Sequence, residues 1–97
     1  MARWLLRVYV IGVCAFLVSC SEAPSERAAK HESRGDAYVQ QEKFREAVIE
    51  YKNAARVAPD NPAIHWKLAK AASQVGDPST IFTSLSRVVQ LDPTDFD

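Results

Sequence analysis

Apolar residues after about residue 26 recur at the spacing of amphipathic helices. The clearest stripe consists of Phe44, Ala47, Val48, Tyr51, Ala54, Ala55 and Ala58. Steps of three and one place such residues on one helix face, which a globular protein buries. The pattern predicts four helices, over residues 26–40, 42–57, 62–75 and 78–91. We therefore expect an all-α fold, which begins after a helical signal segment.

Prolines and capping residues lie where these helices are expected to begin and end. Each of the pairs Asn61-Pro62 and Asp77-Pro78 places an N-cap residue before a proline at the first helical position, where the missing N–H costs nothing. Gly76 can take the left-handed conformation that closes a helix. Pro59 and Pro93 interrupt the helices before them.

The first twenty residues have a different pattern. Arg3 and Arg7 precede an uncharged apolar run over residues 8–18. A basic start and a run of this length are typical of an export signal, and the run is short for a membrane span, which needs roughly 20 apolar residues. Its end, residues 17–20 (Leu-Val-Ser-Cys), resembles the lipobox at which lipoprotein signal peptidase cuts before the cysteine.

This resemblance implies a signal peptide over residues 1–19, lipidation (palmitate among the acyl chains) of Cys20, and a tether over residues 20–27. Several acyl chains anchor a protein stably, whereas one is marginal. Ser21 follows the cysteine, and by resemblance to lipoproteins of double-membraned bacteria this favours the periplasmic side of the outer membrane over the inner one. The competing interpretation is an uncleaved signal anchor with an incidental cysteine.

The chain also repeats itself. The segment 56–60 (Arg-Val-Ala-Pro-Asp) parallels 90–94 (Gln-Leu-Asp-Pro-Thr), and the two prolines are 34 residues apart. Paired helices with a 34-residue period resemble the tetratricopeptide repeat (TPR). The resemblance implies an α-solenoid of antiparallel hairpins, with repeat 1 over residues 28–61, repeat 2 over 62–95, and the start of a missing third repeat at 96–97.

Specific residues carry this resemblance. Repeat 1 matches the family's packing positions at Gly35, Tyr38, Ala47, Tyr51, Ala54 and Pro59. Repeat 2 matches at Leu68, Ala69, Ala72, Gly76, Leu85 and Pro93. Ile81 and Val88 depart from the pattern, because small residues are expected there, so the second hairpin is either splayed or shifted by one residue. The competing interpretation of repeat 1 is a generic helical hairpin.

A finer resemblance concerns residues 44–54 (Phe-Arg-Glu-Ala-Val-Ile-Glu-Tyr-Lys-Asn-Ala). This segment is similar to the first repeats of TPR lipoproteins that accompany exosortase-type protein sorting and exopolysaccharide systems. Those proteins are much longer. Because about three repeats are usually needed for a stable solenoid, the expectation is that this chain is a fragment or a truncated product.

Composition adds mainly exclusions. Lys+Arg and Asp+Glu are both 12, and loss of Arg3 and Arg7 with the signal would leave a slightly acidic remainder, so nucleic acid is not an expected partner. No catalytic, phosphate-binding or zinc-binding motif is present, which predicts a non-enzyme without cofactor or metal. His31 and His65 are interpreted as packing residues. The charged residues of the second helix (Glu42, Lys43, Arg45, Glu46, Glu50 and Lys52) are interpreted as a solvated face with local ion pairs.

In this family, partners bind on the concave surface that the first helix of each hairpin lines. The corresponding residues are Glu32, Asp36, Val39 and Gln40 in repeat 1, and Trp66, Lys67, Lys70, Ser73 and Gln74 in repeat 2. Lys67 and Lys70 would meet a peptide carboxylate, with Trp66 as an aromatic anchor. The competing interpretation makes these ordinary surface lysines and packs Trp66 against a neighbouring helix. The acidic first repeat argues against a clamp for an anionic tail.

Together these features predict a membrane-anchored scaffold that holds an unknown protein or peptide partner in a bacterial envelope assembly, export or sorting system. Two alternatives stay open. One is a fragment of a longer protein whose enzymatic part or remaining solenoid lies beyond residue 97. The other is a structural peptide without a partner that folds only by self-association.

Overall fold

A computed structural model describes residues 22–96, which form four α-helices and one 3₁₀ turn. The helices are α1 (Pro24–Gln40), α2 (Phe44–Val57), α3 (Pro62–Val75) and α4 (Pro78–Leu91), and the 3₁₀ turn is Pro93–Phe96. Each helix packs against the next one in the chain. The all-α fold class, a solenoid of helix hairpins, is therefore confirmed. The predicted signal peptide and Cys20 lie outside the described residues.

The predicted boundaries of α3 and α4 are confirmed, and the reason is their capping. Asn61 Oδ1 accepts the Ala63 N–H at 3.1 Å, and Asp77 Oδ1 accepts the Thr80 N–H at 3.2 Å. Gly76 closes α3 with a φ of 77°, in the left-handed region. A cap of this kind typically contributes about 1 kcal/mol.

Two other boundaries differ from the prediction. Helix α1 begins at Pro24, two residues before the expected start, because Pro24 supplies a favourable first helical residue. Residues 24–27 of the predicted tether are therefore helical. Helix α2 begins at Phe44 instead of residue 42, because Glu42 has a φ of 58° and cannot continue a right-handed helix.

The core runs along the contact between α2 and α3. Its larger cluster comprises Ala47, Val48, Tyr51, Leu68, Ala71 and Ala72, with Tyr38, Val75 and Ile81 packed against it. A smaller cluster of Ala28, Ala54 and Ile64 joins α1, α2 and α3. Ala47 and Ala54 are fully buried, and neither residue is accessible to solvent. Pro59 and Pro93 are exposed and lie just after α2 and α4.

Small residues set the approach of α1 to α2. A Cβ placed on Gly35 would lie 2.5 Å from Cε1 of Tyr51, well inside van der Waals contact. The Tyr51 ring, which is buried, therefore occupies the space that a side chain at position 35 would need. This contact gives a physical reason for glycine at that position.

Helix α4 accommodates the two bulky residues that depart from the repeat pattern. Ile81 is half-buried and packs against the larger core cluster, while Val88 is buried together with Ser84. The other side of α4 carries Phe82, which is 75% exposed. Within residues 22–96, none of the helices combines the length and apolar character needed to cross a bilayer.

Candidate functional site

A groove of about 460 Å³ opens between α1 and α3, with α2 as its floor. Its apolar lining consists of Val39 and Phe44, which are partly exposed, and of Tyr51 and Ala71, which are buried beneath them. Its polar groups come from Asp36, Gln40, Lys67, Lys70 and Gln74. An apolar floor with polar groups at its edges is typical of a surface that binds a peptide segment or a side chain of a partner.

A polar network ties the groove together. Lys67 on α3 donates to Glu32 Oε1 at 2.7 Å and to Asp36 Oδ2 at 2.9 Å, both on α1. The Tyr51 hydroxyl, which rises from α2, donates to Asp36 Oδ1 at 2.6 Å. Three consecutive helices are thus joined by charge-assisted hydrogen bonds, which are stronger than neutral ones.

The network perturbs the ionisation of its members. Burial disfavours the charged form of Asp36, but hydrogen bonds from Tyr51 and Lys67 and the Lys67 charge outweigh it and lower the pKa of Asp36 from its ordinary value. Burial likewise disfavours charged Lys67, yet its two carboxylate partners raise the pKa of Lys67 from its ordinary value. Burial and the Asp36 charge raise the pKa of the Tyr51 hydroxyl. The ionised pair and the neutral tyrosine are therefore the stable forms near neutral pH.

This network bears on the expected role of Lys67. The sequence suggested that Lys67 and Lys70 together would meet a carboxylate of a partner, but Lys67 already lies between two carboxylates of the same chain. Lys70 is exposed at the groove edge and makes no ion pair within residues 22–96. Of the two lysines, only Lys70 offers an uncompensated positive charge to a ligand.

The remaining predicted binding residues divide into two groups. Val39, Gln40, Lys70 and Gln74 line the groove, together with Asp36. Trp66 does not line it and is 44% exposed, so it neither anchors a ligand there nor packs fully against a neighbouring helix. The Ser73 hydroxyl donates to the Lys70 carbonyl at 2.6 Å, and Glu32 contributes only through Lys67.

Three side chains make contacts that differ from those expected from the sequence. The His31 ring nitrogen Nδ1 donates to Glu50 Oε2 at 2.8 Å, which joins α1 to α2, so Glu50 is half-buried instead of part of a solvated face. The His65 nitrogen Nε2 donates to the Pro59 carbonyl at 2.8 Å. Both histidines therefore make hydrogen bonds, which the packing role expected from the sequence did not include. Within residues 22–96, no three His, Cys, Asp or Glu side chains are close enough together to hold a metal ion.

Sequence reasoning missed two aspects of the groove. Tyr51 was assigned to packing alone, although its ring forms the groove floor and its hydroxyl positions Asp36. Phe44 and Ala71 also line the groove from the sides of their helices. The 34-residue period could have indicated these residues, because it places the second helix of a hairpin beneath the groove between the first helices. The ion pair itself joins residues 31 and 35 positions apart.

A segment that reaches from α1 to the end of α3 matches a known family. A family model described as TPR repeat matches residues 35–76, from Gly35 in α1 to the glycine that closes α3. This match supports a tetratricopeptide repeat protein. No curated protein and no solved structure matches the chain. Proteins of the TPR family are typically non-enzymatic scaffolds, and TPR repeats suggest a role in protein–protein interaction.

Proposed function

We propose that this TPR protein is a membrane-anchored interaction module of the bacterial envelope, which binds a segment of a partner protein in the groove between α1 and α3. The observation that carries the proposal is the groove itself, an apolar floor bordered by Asp36, Lys67 and Lys70. The TPR match supports the class of function, because such repeats suggest protein–protein interaction.

The charges of the groove favour one kind of segment. The positive charge of Lys67 offsets one of the two negative charges of Glu32 and Asp36. One negative charge remains, shared between the two carboxylates. Lys70 adds one positive charge at the edge. A segment that places apolar side chains against Val39 and Phe44 and one acidic group near Lys70 fits this surface, whereas a strongly anionic tail does not.

Anchoring is the second part of the proposal, and it rests on the amino-acid sequence. The basic start, the apolar run and the segment 17–20 support lipidation of Cys20 and attachment on the periplasmic side, at the outer membrane. Attachment would confine the groove to a layer near the bilayer. We place the module in an assembly, export or sorting system of the envelope for this reason.

Site-specific photocrosslinking in cells tests the groove. A photoreactive amino acid replaces Val39, which lines the groove and is 36% exposed, and in the control it replaces Ile49, an apolar residue 58% exposed outside the groove. Position 39 should give one discrete adduct with another protein, and position 49 should not. No adduct at position 39, or the same adducts from both positions, would contradict the proposal.

A further inference from the structure

The outer side of α2 carries a row of positively charged side chains. Arg45, Lys52 and Arg56 are exposed, and among them lies Ile49, which is 58% exposed. Positions 45, 49, 52 and 56 are separated by four, three and four residues, so their side chains share one helix face. We call these four residues the α2 ridge, and none of them lines the groove between α1 and α3.

The α2 ridge is exposed although the helices on both sides of α2 are present. Helix α1 packs against α2 on one side and α3 packs against it on another, yet neither covers the ridge. The equivalent residues of α4, 34 positions later, are Ser79, Thr83, Ser86 and Gln90. Three of them are exposed and Ser86 is half-buried, so the same face is open in both second helices.

The cations of the α2 ridge lack ion-pair partners in the described part of the chain. Arg45, Lys52 and Arg56 form no ion pair within residues 22–96, contrary to the local ion pairs expected for this helix. The Lys52 charge reaches Asp77, but hydrogen bonds from Thr80 hold that carboxylate at the start of α4. No acidic residue is among the described residues that line the hollow between α2 and α4, which Lys52 borders. The ridge is therefore suited to a negatively charged ligand.

The mixture of basic and apolar side chains favours a bilayer of anionic phospholipid as this ligand. Lysine and arginine near such a surface are attracted by its negative potential. Ile49 lies in the same row, and an exposed apolar side chain there can enter the boundary between headgroups and acyl chains. A basic helix face with apolar residues is typical of a helix that lies on a membrane surface.

The position of the lipid anchor selects the same surface. This step rests on the proposed lipidation of Cys20, because only three residues separate it from Pro24, where α1 begins, and the chain between them reaches at most about 14 Å. Ala28, near the start of α1, packs in one cluster with Ala54, near the end of α2. The Arg56 end of the ridge therefore belongs to the end of the hairpin that the anchor holds beside the bilayer.

We infer that the α2 ridge is a second membrane contact, which lies on anionic phospholipid headgroups beside the lipid anchor. A flexible anchor limits the distance of the module from the bilayer, and the ridge adds a fixed orientation. Phe44 and Tyr51, the α2 residues that line the groove, lie about 80–160° round the helix from the ridge positions. The contact therefore leaves the groove open to a partner segment.

Photocrosslinking to lipid tests this inference. The full chain, purified from membranes, is reconstituted into vesicles of phosphatidylethanolamine and phosphatidylglycerol. A diazirine amino acid stands at position 49 or, in the control, at position 39 in the groove. Mass spectrometry should find a phosphatidylglycerol adduct at position 49 and none at position 39. Vesicles of phosphatidylcholine alone should give at least about fivefold less lipid adduct at position 49, because the attraction is electrostatic.

Removal of charge gives the matched comparison. Lys52→Gln with Arg56→Gln should lower the lipid adduct at position 49 at least about fivefold. Arg27→Gln with Arg34→Gln, which removes two exposed charges from α1, should leave that adduct unchanged. All four side chains are exposed, so far-UV circular dichroism should show the same helicity in every variant.

Flotation of the same chain with phosphatidylcholine vesicles reports the anchor separately. A chain that floats only with phosphatidylglycerol, yet forms the adduct at position 49, would contradict lipidation and support the ridge. Absence of a lipid adduct at position 49, or equal lipid adducts at positions 39 and 49, overturns the inference. So does an adduct that is unchanged in Lys52→Gln with Arg56→Gln, or an acidic protein as the only adduct at position 49 in cells.

Discussion

The contact between Gly35 and Tyr51 allows a quantitative prediction for Gly35→Ala. The new Cβ would lie 2.5, 2.7 and 2.9 Å from three carbon atoms of the Tyr51 ring, where ordinary contact begins at about 3.4 Å. The ring is 2% exposed, and its hydroxyl is held by Asp36 at 2.6 Å, so it cannot move aside freely. Overpacking of this kind typically costs about 1–3 kcal/mol.

Two further contributions adjust that estimate. Alanine is favoured over glycine inside a helix by about 1 kcal/mol, which offsets part of the cost. A displaced ring would also weaken the hydrogen bond to Asp36, a loss of about 1 kcal/mol. The net expectation is a loss of about 1–3 kcal/mol, which for a domain of this size lowers the melting temperature by at least about 4 °C.

Thermal unfolding followed by far-UV circular dichroism measures this change. Ser33→Ala, an exposed position in the same helix, is the matched control and should leave the melting temperature unchanged or slightly higher. In a Tyr51→Val background the obstructing ring atoms are gone, so Gly35→Ala should cost at least about 1 kcal/mol less. A Gly35→Ala chain as stable as the parent would refute the packing argument.

Three other predictions follow from the same contacts and from the sequence. Ala47→Leu should overpack a fully buried position and cost about 1–3 kcal/mol in thermal unfolding; an unchanged melting temperature would mean that the repeat alignment is wrong. Because folding lowers the pKa of Asp36, its stabilising contribution is present above the pKa of the unfolded chain and is lost as the pH falls through the folded pKa. Asp36→Asn should therefore flatten the acid limb of a plot of melting temperature against pH, and an identical acid limb would count against the network. Cys20→Ser should abolish acyl-chain labelling and leave the precursor uncut, whereas normal processing of that variant would exclude lipidation.

Local signals made the helices predictable from the sequence. Asn61, Asp77 and Gly76 cap helices within a few residues of their own position. The ends of α3 and α4 can therefore be predicted from short segments of the sequence. The prediction and the structure differ where a local signal has two meanings. The sequence pattern places Pro24 in the tether, but Pro24 begins α1, and it places Glu42 in a helix, but Glu42 has a left-handed backbone.

The groove was only partly predictable, because its chemistry depends on contacts across the repeats. The family resemblance predicts that Asp36, Val39, Gln40, Lys70 and Gln74 share one surface, and all five line the groove. It does not show which charges meet, and the capture of Lys67 by Glu32 and Asp36 depends on how closely α3 approaches α1. The spacing of Lys67 and Lys70 on one helix therefore cannot reveal that Lys67 is already paired within the chain.

The central claim is that the groove between α1 and α3 binds a partner segment, and a binding titration tests it most directly. The segment captured by crosslinking at position 39 is synthesised and titrated calorimetrically into the parent chain, into Val39→Asp and into Ile49→Asp. Both substitutions place one acidic group at an exposed apolar position, but only Val39 lines the groove. Val39→Asp should weaken binding at least tenfold, about 1.4 kcal/mol, while Ile49→Asp should bind like the parent. Equal affinity of the parent and Val39→Asp would contradict binding in the groove.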